Sequence, residues 1–179
     1  MIDPAVGALL VGCFALLFAS AALHKLRGFA RFGAVLRAYQ VLPEGAARLA
    51  GVVPVLELSV AVGLLAGAPR TFATLAGAVL LVCYAGAIAL NLGRGRRDLA
   101  CGCGGADQER PIAPWMVWRN CGLALLLAAQ LTSWTGRPLL ATDALTIGAG
   151  MAAAALLYMS LDRLFGRVTP RTAALRGPG

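Results

Sequence analysis

The sequence predicts an all-α fold: a transmembrane helical bundle of four core helices plus a fifth, with an amphipathic surface helix after the first span. Three observations predict it. The 179 residues are 59% hydrophobic, at a mean hydropathy of +0.77. Only 13% are charged, against about 25% in soluble domains. The charges gather between five apolar stretches, each near the length of about 20 residues that crosses a bilayer.

The first span, about 4–23, carries no charge. Ala19-Ser20-Ala21 resembles a signal-peptide cleavage site, but Asp3 precedes the stretch and the basic residues follow it, from Lys25 onward. That polarity is wrong for a signal peptide, so the stretch reads as an uncleaved helix. Phe29, Phe32, Val35, Leu36 and Tyr39 then recur at helical spacing, with Arg27, Arg31 and Arg37 among them. This is the pattern of an amphipathic helix lying on the membrane surface, and Leu42-Pro43-Glu44-Gly45 is expected to end it. The second span, about 49–68, holds Glu57 as its only charge, and the third, 71–93, holds none. The fourth, 115–136, is bracketed by Trp115, Trp118 and Trp134, like an interfacial aromatic belt. The fifth, 144–161, is rich in Ala and Gly and lies between Asp143 and Asp162. Small residues such as Gly63 and Gly67 permit close helix contact in lipid. The expected organisation is a single bundle domain over 1–166 and a basic, flexible tail over 167–179.

A net charge of +8 suggests nucleic acid in a soluble protein. Here the basic residues flank apolar spans, which points to topology and anionic headgroups instead. Residues 24–49, residues 93–119 and residues 162–179 hold fourteen Lys and Arg, while the alternate connections hold only Arg70 and Arg137. By the positive-inside rule this places the N-terminus outside and the C-terminus in the cytoplasm, with five spans in a cell (inner) membrane.

Five cysteines are present: Cys13, Cys83, Cys101, Cys103 and Cys121. They do not form the even, spaced set of a secreted disulfide scaffold. Cys13 and Cys83 lie within apolar spans and read as small buried hydrophobes. Cys101-Gly102-Cys103 is the chemical feature. A disulfide across one glycine closes a small ring that is expected to be strained, and strained bridges are the labile, oxidising ones. Two thiolates also suit a soft metal such as Zn, Cu(I) or Hg, with Cys121 or His24 completing the set. Two incidental loop cysteines are the plain alternative. Cys121 follows Arg119-Asn120 and is either a resolving thiol or a packed small residue. Arg119 either lowers a nearby thiol pKa or anchors the topology.

His24, the only histidine, ends the first span on the side of the Cys-Gly-Cys loop, where it suits proton transfer or quinone contact as well as a passive headgroup neighbour. Glu57, three residues after Pro54, is an intramembrane carboxylate and thus a functional candidate by default. It is expected to be neutral, or paired with His24 or an Arg.

His24-Lys25-Leu26, Tyr39-Gln40-Val41-Leu42-Pro43, Val53-Pro54-Val55-Leu56-Glu57-Leu58, Asn91-Leu92-Gly93-Arg94-Gly95-Arg96, Cys101-Gly102-Cys103-Gly104 and Arg119-Asn120 occur in that order. Together these pieces, over roughly residues 5–135, resemble the MauE family within the DoxX-like membrane proteins. The family usually has Asp before the first of these cysteines and Phe-Gly after the second, where this chain has Ala100 and Gly104-Gly105.

The resemblance implies a redox-associated membrane protein linked to maturation of methylamine dehydrogenase, similar in logic to quinone-coupled thiol relays. The expected function is a thiol-disulfide oxidoreductase or electron relay that uses Cys101 and Cys103. His24, Glu57 and Arg119 would form a quinone crevice, with Asn120 and Cys121 in support. The expected partners are a thioredoxin-like protein, membrane lipid and a client needing disulfides; no nucleic acid and no tightly bound cofactor is expected. Two rivals stand beside it: soft-metal binding or transport through Cys101, Cys103 and Cys121, and a non-catalytic membrane assembly factor.

Overall fold

The structure is a computed structural model that describes residues 3–41, 49–66, 70–102, 111–132 and 137–168. Among the described residues there are six α-helices: α1 Pro4–Arg27, α2 Phe29–Tyr39, α3 Leu49–Leu65, α4 Arg70–Gly93, α5 Pro114–Ala128 and α6 Ala141–Val168. A 3-10 turn, Ala129–Leu131, extends α5. The expected all-α membrane bundle is what forms.

Local chemistry sets the ends of the helices. The Asp3 carboxylate accepts a hydrogen bond from the Ala5 N–H at 2.9 Å, and Pro4 opens α1; the cap satisfies an otherwise orphaned donor, and proline has no N–H to lose there. His24, Lys25 and Arg27 occupy the last turn, where the helix dipole favours positive charge. The helix therefore continues four residues past the expected boundary at 23. Gly28 N–H donates to His24 O at 3.0 Å, and α2 starts directly after it. Gln40 ends α2 in the left-handed conformation, φ 47°, ahead of Leu42-Pro43-Glu44-Gly45, which lies outside the described residues.

The core is built by four helices. Val11, Phe14, Ala15 and Phe18 of α1 meet Val60, Ala61 and Leu64 of α3, Leu81 of α4, and Ala124 and Leu127 of α5. Lipid tails are as apolar as leucine, so close packing rather than hydrophobic burial holds such helices together. Gly77 shows how close: a Cβ there would lie 2.8 Å from Leu127, 3.0 Å from Val60 and 3.1 Å from Phe18. A Cβ on Gly63 would meet that of Ala73 on α4 at 2.9 Å; its expected companion, Gly67, lies outside the described residues. Helix α6 adds nothing to this core. It lies against α1, where Gly12 faces Met151 and Gly150 faces Leu9.

Three helices, α1, α4 and α6, are long and apolar enough to cross a membrane. The others are shorter. With 17 residues, α3 spans about 25 Å at 1.5 Å per residue. In the fourth apolar stretch the helical turns end at Leu131, where Thr132 turns extended; residues 133–136, with Trp134, lie outside the described residues. The fifth is longer than the sequence predicts: α6 begins at Ala141 and takes in 167 and 168, the start of the expected tail. Large apolar side chains such as Val55, Phe72, Leu125 and Leu145 point away from the bundle, as lipid contact requires.

Candidate functional site

The cysteine loop leaves α4 and returns to α5 at one end of the bundle. Ala100 pairs with Pro111 in a single antiparallel bridge, and Ile112 N–H donates to Leu99 O at 2.9 Å. This closes the base of the loop. Tyr39, at the end of α2, donates its hydroxyl to the Cys101 carbonyl at 3.1 Å. Gly102 has φ +64°, and a Cβ there would sit 2.8 Å from Val35 Cγ1. Both its handedness and its closeness to α2 thus select glycine. Cys101 is half-buried beside Tyr39, Ile88, Ile112 and Met116.

Cys101 is disulfide-bonded, whereas Cys13, Cys83 and Cys121 are free thiols. Cys103 lies outside the described residues. Burial pushes the Tyr39 phenol up to about 12, so its proton stays available to the Cys101 carbonyl. On α4, Cys83 is exposed rather than buried; it faces outward, where lipid replaces the packing expected of it.

Below the loop lies a buried ion pair. Lys25 Nζ and Glu57 Oε1 are 2.6 Å apart, with residue exposures of 3% and 0%. Tyr84 of α4 donates its hydroxyl to the same carboxylate oxygen at 2.7 Å. The ammonium also stands 5.5 Å from the Phe32 ring centre and 5.3 Å from that of Tyr84, within cation-π range. Helical side chains lean toward the helix N-terminus, so Lys25 reaches back from the end of α1 into the bundle. The partner of Glu57 is therefore Lys25, not His24 or an arginine. Charge counting hides this, because Lys25 looks like a flanking charge. A signal did exist: Lys25 continues the buried stripe of Val11, Phe14, Phe18 and Ala22, and Glu57 precedes Val60, Ala61 and Leu64 on theirs.

Pair and loop meet at a cleft lined by His24, Lys25, Arg31, Phe32 and Gly102. Its cavity volume is about 20 Å³, room for about one water. His24 and the cysteine loop are thus brought together, and Glu57 joins them through Lys25.

The remaining candidates lie on α5. Arg119 pairs with Asp162 of α6 at 2.9 Å, its guanidinium 5.1 Å from the Trp115 ring centre and 5.8 Å from that of Tyr158. It ties the peripheral helix to the core. Asn120 is buried with its Nδ2 unpartnered, and Cys121 is half-buried. Among the described residues, no group of three or more His, Cys, Asp or Glu side chains could hold a metal ion.

Sequence reasoning also missed the brace on α2. Arg94 Nη1 donates to Gln40 O at 3.2 Å, and Arg96 Nη1 to Gln40 Oε1 at 3.0 Å. Asn91, fully buried near the end of α4, receives Arg96 at 3.4 Å. The brace fixes the end of α2 that carries Tyr39.

Comparison with known proteins gives a consistent match. The family described as methylamine utilisation protein MauE matches residues 3–134. The chain is 40% identical to methylamine utilization protein MauE of Paracoccus denitrificans over 164 residues, covering 89% of this chain and 87% of that one. It is also 40% identical to the protein of the same name from Paracoccus versutus over 182 residues, covering 98% and 96%. For that of Methylorubrum extorquens the identity is 36% over 158 residues, covering 88% and 84%. No solved structure matches the chain at a significant level.

Proposed function

The chain belongs to the MauE family, and from that premise we propose that it is a membrane thiol-disulfide oxidoreductase serving methylamine utilisation, with Cys101 and Cys103 as its redox pair. The carrying observation is the disulfide-bonded Cys101, clasped by Tyr39 beside a cleft that holds His24 and Lys25.

In the proposed cycle a thiolate of a thioredoxin-like partner attacks the Cys101–Cys103 bond. That bond breaks, a mixed disulfide forms, and the departing cysteine thiolate takes a proton. The partner's second thiolate then resolves the mixed disulfide and leaves oxidised. Two electrons and two protons have moved from the partner to the pair. The client is an enzyme of the methylamine dehydrogenase type that needs disulfides. Run in reverse, the same steps reduce a partner.

A membrane quinone is the proposed electron acceptor for the reduced pair. The cleft has about the volume of one water and does not fit a quinone ring, so the proposal puts quinone contact elsewhere on the bundle and routes no step through the cleft. The positive-inside pattern supports an N-terminus outside and a C-terminus inside, in the inner membrane. The cysteine loop then faces the cytoplasm. Either the relay moves electrons across the membrane, the loop is reached from within the bundle, or the client is cytoplasmic.

The test is a Cys103→Ser variant expressed in cells that make the client. It is expected to lose thiol exchange and to trap a partner on Cys101 as a mixed disulfide, seen as a reductant-sensitive adduct. A variant that keeps full exchange and traps nothing contradicts the proposal.

A further inference from the structure

Thiol-disulfide exchange moves protons as well as electrons, and the structure holds a group suited to carry them. Glu57 is fully buried. Its Oε1 receives both Lys25 and Tyr84, while Oε2 is buried with no hydrogen-bond partner. That bare carboxylate oxygen is an open acceptor position inside the bundle. Nor is the pair explained as structural glue, since buried ion pairs are often replaceable by apolar side chains without loss of stability. Lys25, its partner, lines the cleft that also reaches Gly102 of the cysteine loop.

We infer that the Lys25–Glu57 pair, oriented by Tyr84, holds and returns the protons of thiol exchange at the Cys101 loop, through the cleft shared by Lys25, His24 and Gly102. The inference rests on the thiol-exchange reading above.

The step balances without an outside proton source. As a partner thiol ionises to attack, its proton enters the cleft. Taken up at Lys25, it moves one Lys25 proton onto Glu57, and the pair passes from neutral to a single positive charge. The S–S bond breaks, a partner–cysteine S–S bond forms, and the departing cysteine thiolate takes the proton back. The second half of the exchange repeats the transfer. Each partner proton ends on a cysteine, and the pair returns to its starting state.

The titratable and charged groups beside the pair are His24 on α1 and Arg31 on α2, which share the cleft with Lys25 and Gly102, and Tyr84 on α4, which donates to Glu57. Cys83 adjoins Tyr84 but is exposed on the outer face. On α5 and α6, Arg119 and Asp162 face each other.

The experiment measures reduction of the full-length protein in lipid nanodiscs by dithiothreitol, read by mass-tag alkylation. Rates are taken from pH 6 to 9 at constant dithiothreitol thiolate. Two variants carry the test. Lys25→Met with Glu57→Leu removes both charges, and Glu57→Gln keeps the shape and an acceptor for Lys25 and Tyr84 but cannot bind the proton. Positioned acid-base groups contribute about 10²–10⁴ in rate, so each variant is expected to reduce at least tenfold more slowly. Each should also lose the pH dependence that wild type retains, and reach the same end point. If Glu57→Gln, which leaves the Lys25 ammonium buried without a carboxylate, fails to fold, the double variant alone decides. Wild-type rate and pH profile in a folded variant overturn the inference while leaving the thiol reading intact. A wild-type disulfide that dithiothreitol cannot reduce removes both.

Discussion

Two side chains act on the cysteine loop through its backbone. Tyr39 clasps the Cys101 carbonyl. Tyr39→Phe removes one part-buried hydrogen bond, a loss of about 1 kcal/mol, and should speed reduction of the Cys101 disulfide several-fold in a mass-tag assay. The same phenol gives a pH signature. Its folded value, about 12, lies above the unfolded value of about 10. The folded state therefore binds more protons between these values, and stability falls as pH rises from about 10 to 12; alkaline melting of Tyr39→Phe should be less steep there. Gly102→Ala puts a Cβ into Val35 and strains a positive φ, at a loss of about 1–3 kcal/mol. The loop should then detach from α2, and cysteine alkylation after reduction should quicken. Glu57→Ala leaves Lys25 buried without its carboxylate, which is destabilising by about 3–5 kcal/mol, and should lower the melting temperature in detergent far more than the paired replacement of both residues. Cys101, His24 and Glu57 stand out in the sequence as candidates because thiols, a lone imidazole and an intramembrane carboxylate are conspicuous by type. Lys25, Tyr84 and Tyr39 do not, because a flanking lysine and two tyrosines acquire meaning only when α1, α2, α3 and α4 are brought together.

At the level of elements, hydropathy and charge were enough to find all five apolar helices and the amphipathic α2. Their ends were less legible. A cap on Asp3, a basic last turn in α1 and an extended Thr132 are local backbone matters, whereas a hydropathy window reports only where charges stop. Packing was legible only as a tendency toward small residues. The meeting of three helices on Gly77 depends on which face of α4 turns inward, and Gly77→Val should overpack this point by about 1–3 kcal/mol, read as a lower unfolding temperature. Asp3 joins α1 to α6 through Arg137, which also binds Asp143. The Arg137 guanidinium holds the Asp3 carboxyl below its usual range, so this tie is present above the unfolded carboxylate value of about 4 and is lost as pH falls through the folded one. Asp3→Asn should abolish that acid-side change in a crosslinking assay between α1 and α6.

Across the whole molecule, the candidate site and an ionic tie lie at opposite ends of the bundle. One end holds the Asp3–Arg137–Asp143 tie. The other holds the cysteine loop, the Lys25–Glu57 pair and α2, whose end Arg94 and Arg96 brace at Gln40. Gln40 and the Asn91–Arg96 stretch, far apart in the chain, form one contact. The central claim is that Cys101 and Cys103 form a reversible two-electron couple. Its most direct test is a redox titration of the purified full-length protein in thiol buffers, with free cysteines counted by mass tagging. A relay predicts two cysteines that titrate together, tenfold per about 30 mV, at a potential above about −300 mV, with the transition absent in Cys103→Ser. A Cys101 that stays oxidised below that range, or a wild-type transition that survives in Cys103→Ser, contradicts the relay.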